Sequence, residues 1–317
     1  MSEGRRVLVT GAAGFIGSAL VRALAASADG ERIVAFDQQA SQFSHPKVEH
    51  DCGDIADPAV ARALVDDGVS CIVHLASLVS GGAEQDYERG LRVNFDATRE
   101  LLEAARRAGH APVFVFSSSI AVYGRVAAGQ GLQVDDATAP APAISYGTHK
   151  LMCEALIDDM SRRGFIDGRC LRLPTVMVRP DVNTALSGWA SALVREPLAG
   201  RDYDCPVRPD TQMACISVGK VVQVLRHAAT LPADRLGARR TVLIDGLPAS
   251  AAEMLAAVQS RAGLRRLGTV RFRPDPQLQA VMDGLPCATV SARARELGFP
   301  RNRDIGEIVD EHLRSLA

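Results

Sequence analysis

The chain has 317 residues, of which 47% are hydrophobic and 23% are charged, and its formal net charge is −1. This charge gives no broad electrostatic attraction for nucleic acid or anionic membrane, so neither is an expected partner. No apolar run reaches membrane-spanning length, and no long apolar leader precedes a cleavage site. Composition therefore predicts a cytoplasmic protein with one large domain, or a main domain with a smaller appendage.

The seven cysteines are dispersed along the chain and form no Cys-x-x-Cys pair. An odd, scattered set is typical of reduced thiols in a cytosol rather than of disulfides or a zinc site. We therefore expect no metal centre. Only three residues are lysines, Lys47, Lys150 and Lys220, against 33 arginines.

Short apolar runs alternate with helical patterns through the first half of the chain. The apolar runs lack polar alternation, as expected of strands that are buried on both faces. Predicted strands cover residues 6–10, 32–37, 71–76, 112–117 and 170–173, and predicted helices cover residues 14–28, 86–108 and 146–163. This order predicts an α/β fold with a doubly wound parallel sheet, the Rossmann fold.

The rhythm of the chain changes after Pro174. Prolines and glycines punctuate residues 179–209, and the later elements are shorter and less regular. We expect a nucleotide-binding Rossmann domain over residues 1–175. Residues 176–317 are expected to form mostly a small C-terminal substrate-binding lobe, with some segments returning to the main sheet.

A glycine-rich loop joins the first predicted strand to the first helix. It reads Gly11-Ala12-Ala13-Gly14-Phe15-Ile16-Gly17. The first glycine permits the tight turn, the second lets the backbone approach a pyrophosphate, and the third allows the helix to pack close to the strand. The helix N-terminus then offers free N–H groups to the anion. The loop predicts that the chain binds a dinucleotide.

An acidic residue ends the second predicted strand, twenty residues after the last glycine of the loop. Asp37 is placed to bond a ribose 2′-hydroxyl and to repel the extra phosphate of NADP, which favours NAD. The alternative is an ordinary strand-end aspartate. Asp54 and Ile55 are candidates to cover the adenine, although a turn aspartate is an equal alternative for Asp54.

Tyr146 and Lys150 are four residues apart at the start of a predicted helix. Residues one turn apart lie on one face. Tyrosine alone is a poor base at neutral pH, but a nearby ammonium favours its ionised form. The pair could therefore take a proton from a substrate hydroxyl. A solvated helix lysine is the alternative for Lys150.

Three consecutive serines, Ser117, Ser118 and Ser119, end the strand over residues 112–117. The carboxyl ends of strands in open parallel sheets face the ligand crevice. A serine hydroxyl there could orient the reacting oxygen toward the tyrosine, but the residues alone leave open which serine does so.

Together, these motifs resemble the extended short-chain dehydrogenase/reductase family. The resemblance rests on Thr10 with the glycine triplet, on the serine run with Val122-Tyr123-Gly124, and on Tyr146-x-x-x-Lys150. It implies that Ser119 is catalytic with Tyr146 and Lys150. It further implies cofactor contacts from Leu75, Ala76, Ser77, Asn94, Tyr146, Lys150 and Pro174, a substrate-side position for Thr175, and a homodimer formed through helices 86–108 and 146–163.

The family includes sugar-nucleotide epimerases, dehydratases and alcohol dehydrogenases. Dehydratases usually carry an acidic pair after the catalytic serine, whereas Ile120 and Ala121 follow here. Stretches such as Arg172-Leu173-Pro174-Thr175 and Arg195-Glu196-Pro197-Leu198 resemble one subgroup, the D-erythronate dehydrogenases. The resemblance implies NAD-dependent oxidation of C2 of a small sugar acid to the 2-oxo acid.

A sugar acid requires a cation for its carboxylate, and a bidentate arginine would fix which carbon reacts. Arg179 and Arg208 are candidates, and two surface arginines in an arginine-rich chain are the alternative. Ser80 and Gly81 are candidates to line the substrate side of the crevice.

Two other functions remain open from the sequence. An NDP-sugar 4-epimerase would retain NAD and interconvert sugar nucleotides with no net turnover of cofactor. A regulator that senses the dinucleotide would do no chemistry, and such proteins often lose the tyrosine or the lysine that this chain keeps.

Overall fold

The computed structural model describes residues 5–66, 68–124, 133–180 and 185–316. The chain folds as two compact units, each assembled from three stretches of sequence. Unit 1 consists of Met1–Ser119, Ser145–Arg172 and Val222–Val242, and unit 2 consists of Ile120–Ile144, Leu173–Val221 and Leu243–Ala317.

Unit 1 contains the central sheet and the helices that pack against it. Its strands are β1 (Arg6–Thr10), β2 (Arg32–Asp37), β3 (Val48–Cys52), β4 (Val69–His74), β5 (Val113–Ser119), β7 (Asp167–Leu173) and β11 (Thr241–Leu243). Its helices are α1 (Phe15–Ala25), α2 (Pro58–Leu64), α3 (Ser80–Gln85), α4 (Tyr87–Leu91), α5 (Ala97–Ala108), α6 (Ser145–Arg162), α8 (Val218–Thr230, from Val222 onward) and α9 (Ala233–Leu236).

The described strands of unit 1 form a mostly parallel sheet in the order β11-β7-β5-β4-β1-β2-β3. β1 pairs in parallel with both β2 and β4, so the direction of winding reverses on either side of β1. In open sheets of this kind, ligands bind outside the carboxyl ends of the strands at the reversal point. The predicted doubly wound fold is therefore confirmed, and it identifies the edge of the sheet where a ligand belongs.

A π-helical turn and an additional strand are among the local features that differ from the sequence prediction. The predicted helix over residues 86–108 is interrupted, because residues Arg92–Asp96 form a π-helical turn between α4 and α5. Single π turns often mark functional sites. Strand β3 was not predicted, since most of its residues are exposed and it shows no apolar run.

The described residues of unit 2 form three small sheets with their own helices. Its strands are β6 (Gln133–Asp135), β8 (Thr175–Met177), β9 (Tyr203–Cys205), β10 (Gln212–Ser217), β12 (Leu247–Ser250), β13 (Val270–Phe272) and β14 (Ala288–Val290). Its helices are α7 (Gly188–Leu198), α10 (Ala251–Arg261), α11 (Pro276–Met282), α12 (Ala292–Glu296) and α13 (Ile305–Ser315), besides a 3-10 turn (Ile120–Tyr123). β10 lies between β12 and β8, β13 pairs with β9, and β14 pairs with β6.

Each unit has its own hydrophobic core. In unit 1, Phe114 and Phe116 of β5 pack with Leu101 of α5 and Ile157 of α6. In unit 2, a separate core includes Trp189, and side chains of α7 and α10 pack within it. No helix in the described part of the chain is both long enough and apolar enough to cross a membrane.

A buried ion pair fixes helix α6 to the sheet of unit 1. Arg172 of β7 donates from Nη2 to Glu154 of α6 at 2.6 Å, and both side chains are nearly inaccessible. Ser118 of β5 also donates to the Glu154 carboxylate, at 2.5 Å. Since α6 carries Tyr146 and Lys150, this pair holds their helix in register with the end of β5.

Removing one partner of this pair should destabilise the fold strongly. Arg172→Met leaves a buried carboxylate without its cation, and we expect the free energy of unfolding to fall by about 3–5 kcal/mol in urea denaturation. The exposed Arg162–Asp159 pair on the same helix provides the control, and Arg162→Met should cost less than about 1 kcal/mol. Equal effects of the two substitutions would contradict this account.

Candidate active site

The glycine loop makes two backbone approaches that only glycine permits. Gly11 has a φ of +71°, and a Cβ on it would lie 2.7 Å from the backbone nitrogen of Ala76. A Cβ on Gly17 would lie 2.0 Å from the carbonyl oxygen of Gly11. The loop therefore lies directly against the segment that follows β4 and against the first turn of its own helix.

Helix α1 presents its N-terminus at this loop. It begins at Phe15 after Gly14, and among the described residues no side chain caps it and no acidic residue occupies its first turn. The helix dipole attracts an anion to this end of the helix. Phe15 and Ile16 are half-buried in this turn, while Gly14 is exposed. The loop and helix thus fit the diphosphate of a dinucleotide.

A cavity of about 230 Å³ lies beside the loop in unit 1. Seven of the predicted cofactor residues, together with six others, line it: Gly11, Gly14, Phe36, Asp37, Gln38, Gly53, Ile55, Leu75, Ala76, Ser77, Leu78, Arg89 and Val93. Of these described lining residues, Asp37 and Arg89 carry charge. The fold thus brings the ends of β1, β2 and β4 to one pocket, as the sheet topology requires.

Asp37 contacts the glycine loop and also lines this cavity. Its Oδ2 accepts from the backbone N–H of Ala13 at 3.0 Å, and its Oδ1 accepts from the backbone N–H of Gln39 at 3.3 Å. The carboxylate is thereby oriented at the cavity, in a position that suits a ribose hydroxyl.

Asp54 is engaged elsewhere. Its carboxylate forms an ion pair with Arg92, and its Oδ1 accepts from the backbone N–H of Ala56 at 3.0 Å. Its neighbours Gly53 and Ile55 line the cavity instead. The adenine contact predicted for this dipeptide therefore fits Ile55 better than Asp54.

Both the oxygen and the nitrogen of the Asn94 carboxamide form hydrogen bonds to the segment after β4. Its Oδ1 accepts from the backbone N–H of Leu78 at 2.7 Å and from the Ser77 hydroxyl at 2.9 Å. Its Nδ2 donates to the carbonyl oxygen of Leu78 at 3.0 Å. The predicted cofactor residue Asn94 thus holds a wall of the cavity through hydrogen bonds and does not line the cavity itself.

Tyr146 and Lys150 lie on one face of α6, as their spacing predicts. Lys150 is only 2% exposed, with its ammonium 5.5 Å from the ring centroid of Tyr146 and 4.6 Å from that of Phe116. A buried cation at this distance stabilises negative charge that develops on the phenol oxygen, because the local dielectric is low. The arrangement suits a tyrosine that accepts a proton.

The serine run separates into two faces. Ser118 is buried with its hydroxyl on Glu154, while Ser117 and Ser119 are half-buried. Side chains alternate along a strand, so Ser117 and Ser119 share the face opposite to Ser118. Because the Ser118 hydroxyl is bonded to Glu154, Ser117 and Ser119 are the better candidates for the catalytic serine. This is consistent with the prediction of Ser119, the last residue of β5.

Ser80 and Gly81 of unit 1 begin helix α3, directly after the segment that Asn94 holds. The remaining predicted residues lie in unit 2. Pro174 is buried just before β8, and Thr175 begins that strand half-buried. These positions follow the end of β7, but their roles stay predictions.

Arg179 and Arg208 of unit 2, the two candidates to bind the substrate carboxylate, differ in their surroundings. Arg208 donates to Asp283 at 2.8 Å and to Asp210 at 3.2 Å, so its charge is already neutralised. Arg179 is half-buried and is fixed through its backbone, where its carbonyl oxygen accepts from Arg195 at 2.6 Å.

Several residues of the cavity were not predicted. They are Phe36, Gln38, Gly53, Leu78, Arg89 and Val93. Arg89 is the most consequential, because a cation in the same cavity as the glycine loop favours a diphosphate. No motif marks Arg89 in a chain with 33 arginines, and only the fold brings it to this cavity.

Comparison with known proteins decides the family. The model of the NAD-dependent epimerase/dehydratase family matches residues 7–235. The chain belongs to this family. It is an NAD-dependent oxidoreductase, and the glycine cradle and Asp37 described above fit that cofactor.

Relatives and solved structures extend this result. The chain is 40% identical to a D-erythronate dehydrogenase of Cupriavidus necator, over 97% of each chain. It is 32% identical to a D-erythronate dehydrogenase of Haemophilus influenzae, over 97% of this chain and 98% of that protein. A structure of a nucleoside-diphosphate-sugar epimerase from Agrobacterium tumefaciens matches with a TM-score of 0.89 and 35% identity, over 98% of this chain and 94% of that one.

Replacement of Asp37 should alter the choice between NAD and NADP. We expect Asp37→Asn to weaken NAD about tenfold and to strengthen NADP, because the negative charge that repels a 2′-phosphate is lost. Asparagine keeps an acceptor for the Ala13 N–H, so the loop itself is preserved. Titrations of both cofactors measure the effect, and an unchanged NADP affinity would show that Asp37 does not select the cofactor.

Proposed function

We propose that the protein oxidises the C2 hydroxyl of a small sugar acid, such as D-erythronate, to the 2-oxo acid with NAD as acceptor. The observation that carries this proposal is the 40% identity to a D-erythronate dehydrogenase along 97% of both chains. The similarity extends through unit 2. We propose that unit 2 forms the substrate-binding lobe, because it carries most of the sequence that a nucleotide-binding domain alone would lack. We further expect a homodimer that acts in the cytoplasm.

Tyr146 would act as the general base that takes the proton of the C2 hydroxyl. The buried Lys150 ammonium would stabilise the phenolate form of Tyr146, and Ser119 would hold the substrate oxygen by a hydrogen bond. When bound, NAD supplies the acceptor for the hydride that leaves C2. The alcohol would thus lose its hydroxyl hydrogen as a proton to Tyr146 and its C2 hydrogen, with two electrons, as a hydride, which leaves the 2-oxo acid.

Arg179 and Arg208 are both proposed as candidates to bind the substrate carboxylate. The Arg208 guanidinium already pairs with Asp283 and Asp210, so a substrate would have to displace these carboxylates. Ser80, Gly81 and Thr175 are proposed to line the substrate side of the site.

An NDP-sugar 4-epimerase is the alternative. It is favoured by the epimerase structure from Agrobacterium tumefaciens, which covers nearly the whole chain at 35% identity. The two functions differ in their use of cofactor. A dehydrogenase releases NADH in each turnover, whereas an epimerase returns its NAD to the oxidised form.

The decisive experiment incubates the protein with NAD and a panel of four- to six-carbon aldonates, and separately with UDP-sugars. We expect absorbance at the NADH wavelength to rise with a four-carbon aldonate, and product analysis to show the 2-oxo acid. No absorbance change with any aldonate, together with epimerised UDP-sugar, would replace the proposal with the alternative.

Tyr146→Phe should abolish turnover without loss of cofactor. Removing the proton acceptor should lower kcat about 10²- to 10⁴-fold, while the Kd for NAD changes little. Tyr87→Phe is the matched control, since Tyr87 is 61% exposed on α4 of the same unit. Undiminished turnover in Tyr146→Phe would exclude the proposed base.

A further inference from the structure

A row of buried hydrogen bonds crosses unit 1 beneath the cofactor cavity. Thr10 ends β1, His74 ends β4, and Thr98 lies in the first turn of α5, and all three are at most 1% exposed. The two ring nitrogens of His74 are both used. Nδ1 lies 2.6 Å from the Thr10 hydroxyl, and Nε2 lies 2.9 Å from the Thr98 hydroxyl.

The direction of these bonds follows from the number of available hydrogens. The single hydroxyl hydrogen of Thr98 is donated to the backbone carbonyl of Asn94 at 2.8 Å. Its oxygen can therefore only accept from His74, so Nε2 must carry a hydrogen. In a neutral imidazole Nδ1 is then an acceptor, and the Thr10 hydroxyl must donate to it. The same hydroxyl oxygen accepts from the backbone N–H of Ala76 at 3.4 Å.

The surroundings keep His74 neutral. Complete burial, with a contribution from the Lys150 ammonium, lowers the pKa of His74 to about 3. The ring centroid of Phe116 lies 6.0 Å from the ring centroid of His74 and 4.6 Å from the Lys150 ammonium. A second cation here would face Lys150 in a low-dielectric interior, which is unfavourable.

Both ends of the row lead to walls of the cofactor cavity. At one end, Thr10 precedes Gly11 and contacts Ala76. At the other end, Thr98 fixes the carbonyl of Asn94 within the π turn Arg92–Asp96. The side chain of that asparagine holds Ser77 and Leu78, which line the cavity.

We propose that His74 is a positioning residue, whose neutral Nε2–H imidazole joins the ends of β1 and β4 to the π turn of Asn94 and so fixes the cavity for NAD. His74 contacts neither substrate nor cofactor in this proposal. It acts through Thr10 and Thr98, and its effect should therefore be seen in cofactor binding. The proposal does not depend on which sugar acid is the substrate.

The hydrogen position is tested directly by NMR. In ¹⁵N-histidine-labelled protein, the His74 signals, assigned by their absence in His74→Gln, should show a protonated Nε2 and an unprotonated Nδ1 from pH 8 down to pH 5. An Nδ1–H tautomer, or an imidazolium in this range, would overturn the proposal. This measurement uses the unaltered protein and does not depend on any variant's stability.

A pair of substitutions at Thr98 tests the effect on NAD. Thr98→Val removes the hydroxyl from an otherwise similar side chain, and we expect the Kd for NAD to rise about tenfold. Thr98→Ser keeps the hydroxyl and should bind NAD as the unaltered protein does. Rescue by serine separates a role of the hydrogen bond from a role of the side-chain volume.

Thr230→Val provides the matched control. The Thr230 hydroxyl also donates to a carbonyl one turn earlier in its helix, that of Arg226, but it is exposed at the end of α8. It should leave the Kd for NAD unchanged. If Thr98→Val is folded by circular dichroism and binds NAD with unchanged affinity, the proposal is wrong, whatever the sugar-acid assay shows.

Discussion

The contact between the glycine loop and the segment after β4 is the constraint on which the rest of the site depends. The backbone of Gly11 lies so close to Ala76 that even a methyl group would overlap its nitrogen. This approach brings the carboxyl ends of β1 and β4 together at the point where the winding of the sheet reverses. The N-terminus of α1 and Asp37 of β2 then border one cavity, because their positions follow from the same pair of strands.

The buried position of Lys150 is the second feature on which the site depends. An ammonium with 2% exposure is stable only where its surroundings favour charge, and here it lies over the faces of Phe116 and Tyr146. The neighbouring buried base, His74, is neutral and hydrogen-bonded at both nitrogens, so it adds no competing charge. Glu154 of α6 and Arg172, both buried, neutralise each other. The positive charge of Lys150 therefore remains available to the tyrosine.

The parts of the site that the sequence predicts are those defined by residues close together along the chain. The glycine triplet, Asp37 at the end of a strand, and Tyr146 one turn before Lys150 are all defined by short spacings, and the structure brings Gly11, Gly14 and Asp37 to one cavity. The missed features depend on long-range contacts. Asp54 pairs with Arg92, which lies 38 positions away, and Arg89 of α4 lines the same cavity as the glycine loop. The π turn leaves no trace in periodicity, because its residues still read as helix.

In the proposed function, the substrate and the chemistry depend on different parts of the chain. Tyr146, the proposed proton acceptor, and Lys150 belong to unit 1, and relatives whose names include both epimerase and dehydrogenase share the fold that holds them. A dehydrogenase for a free sugar acid has no nucleotide to grip, so a few charged contacts must supply the orientation that a nucleotide handle gives an epimerase. An arginine meets this need because its planar guanidinium can pair with a carboxylate through two hydrogen bonds. Arg208 already holds the Asp283 carboxylate in this way, so a substrate that used Arg208 would have to displace Asp283.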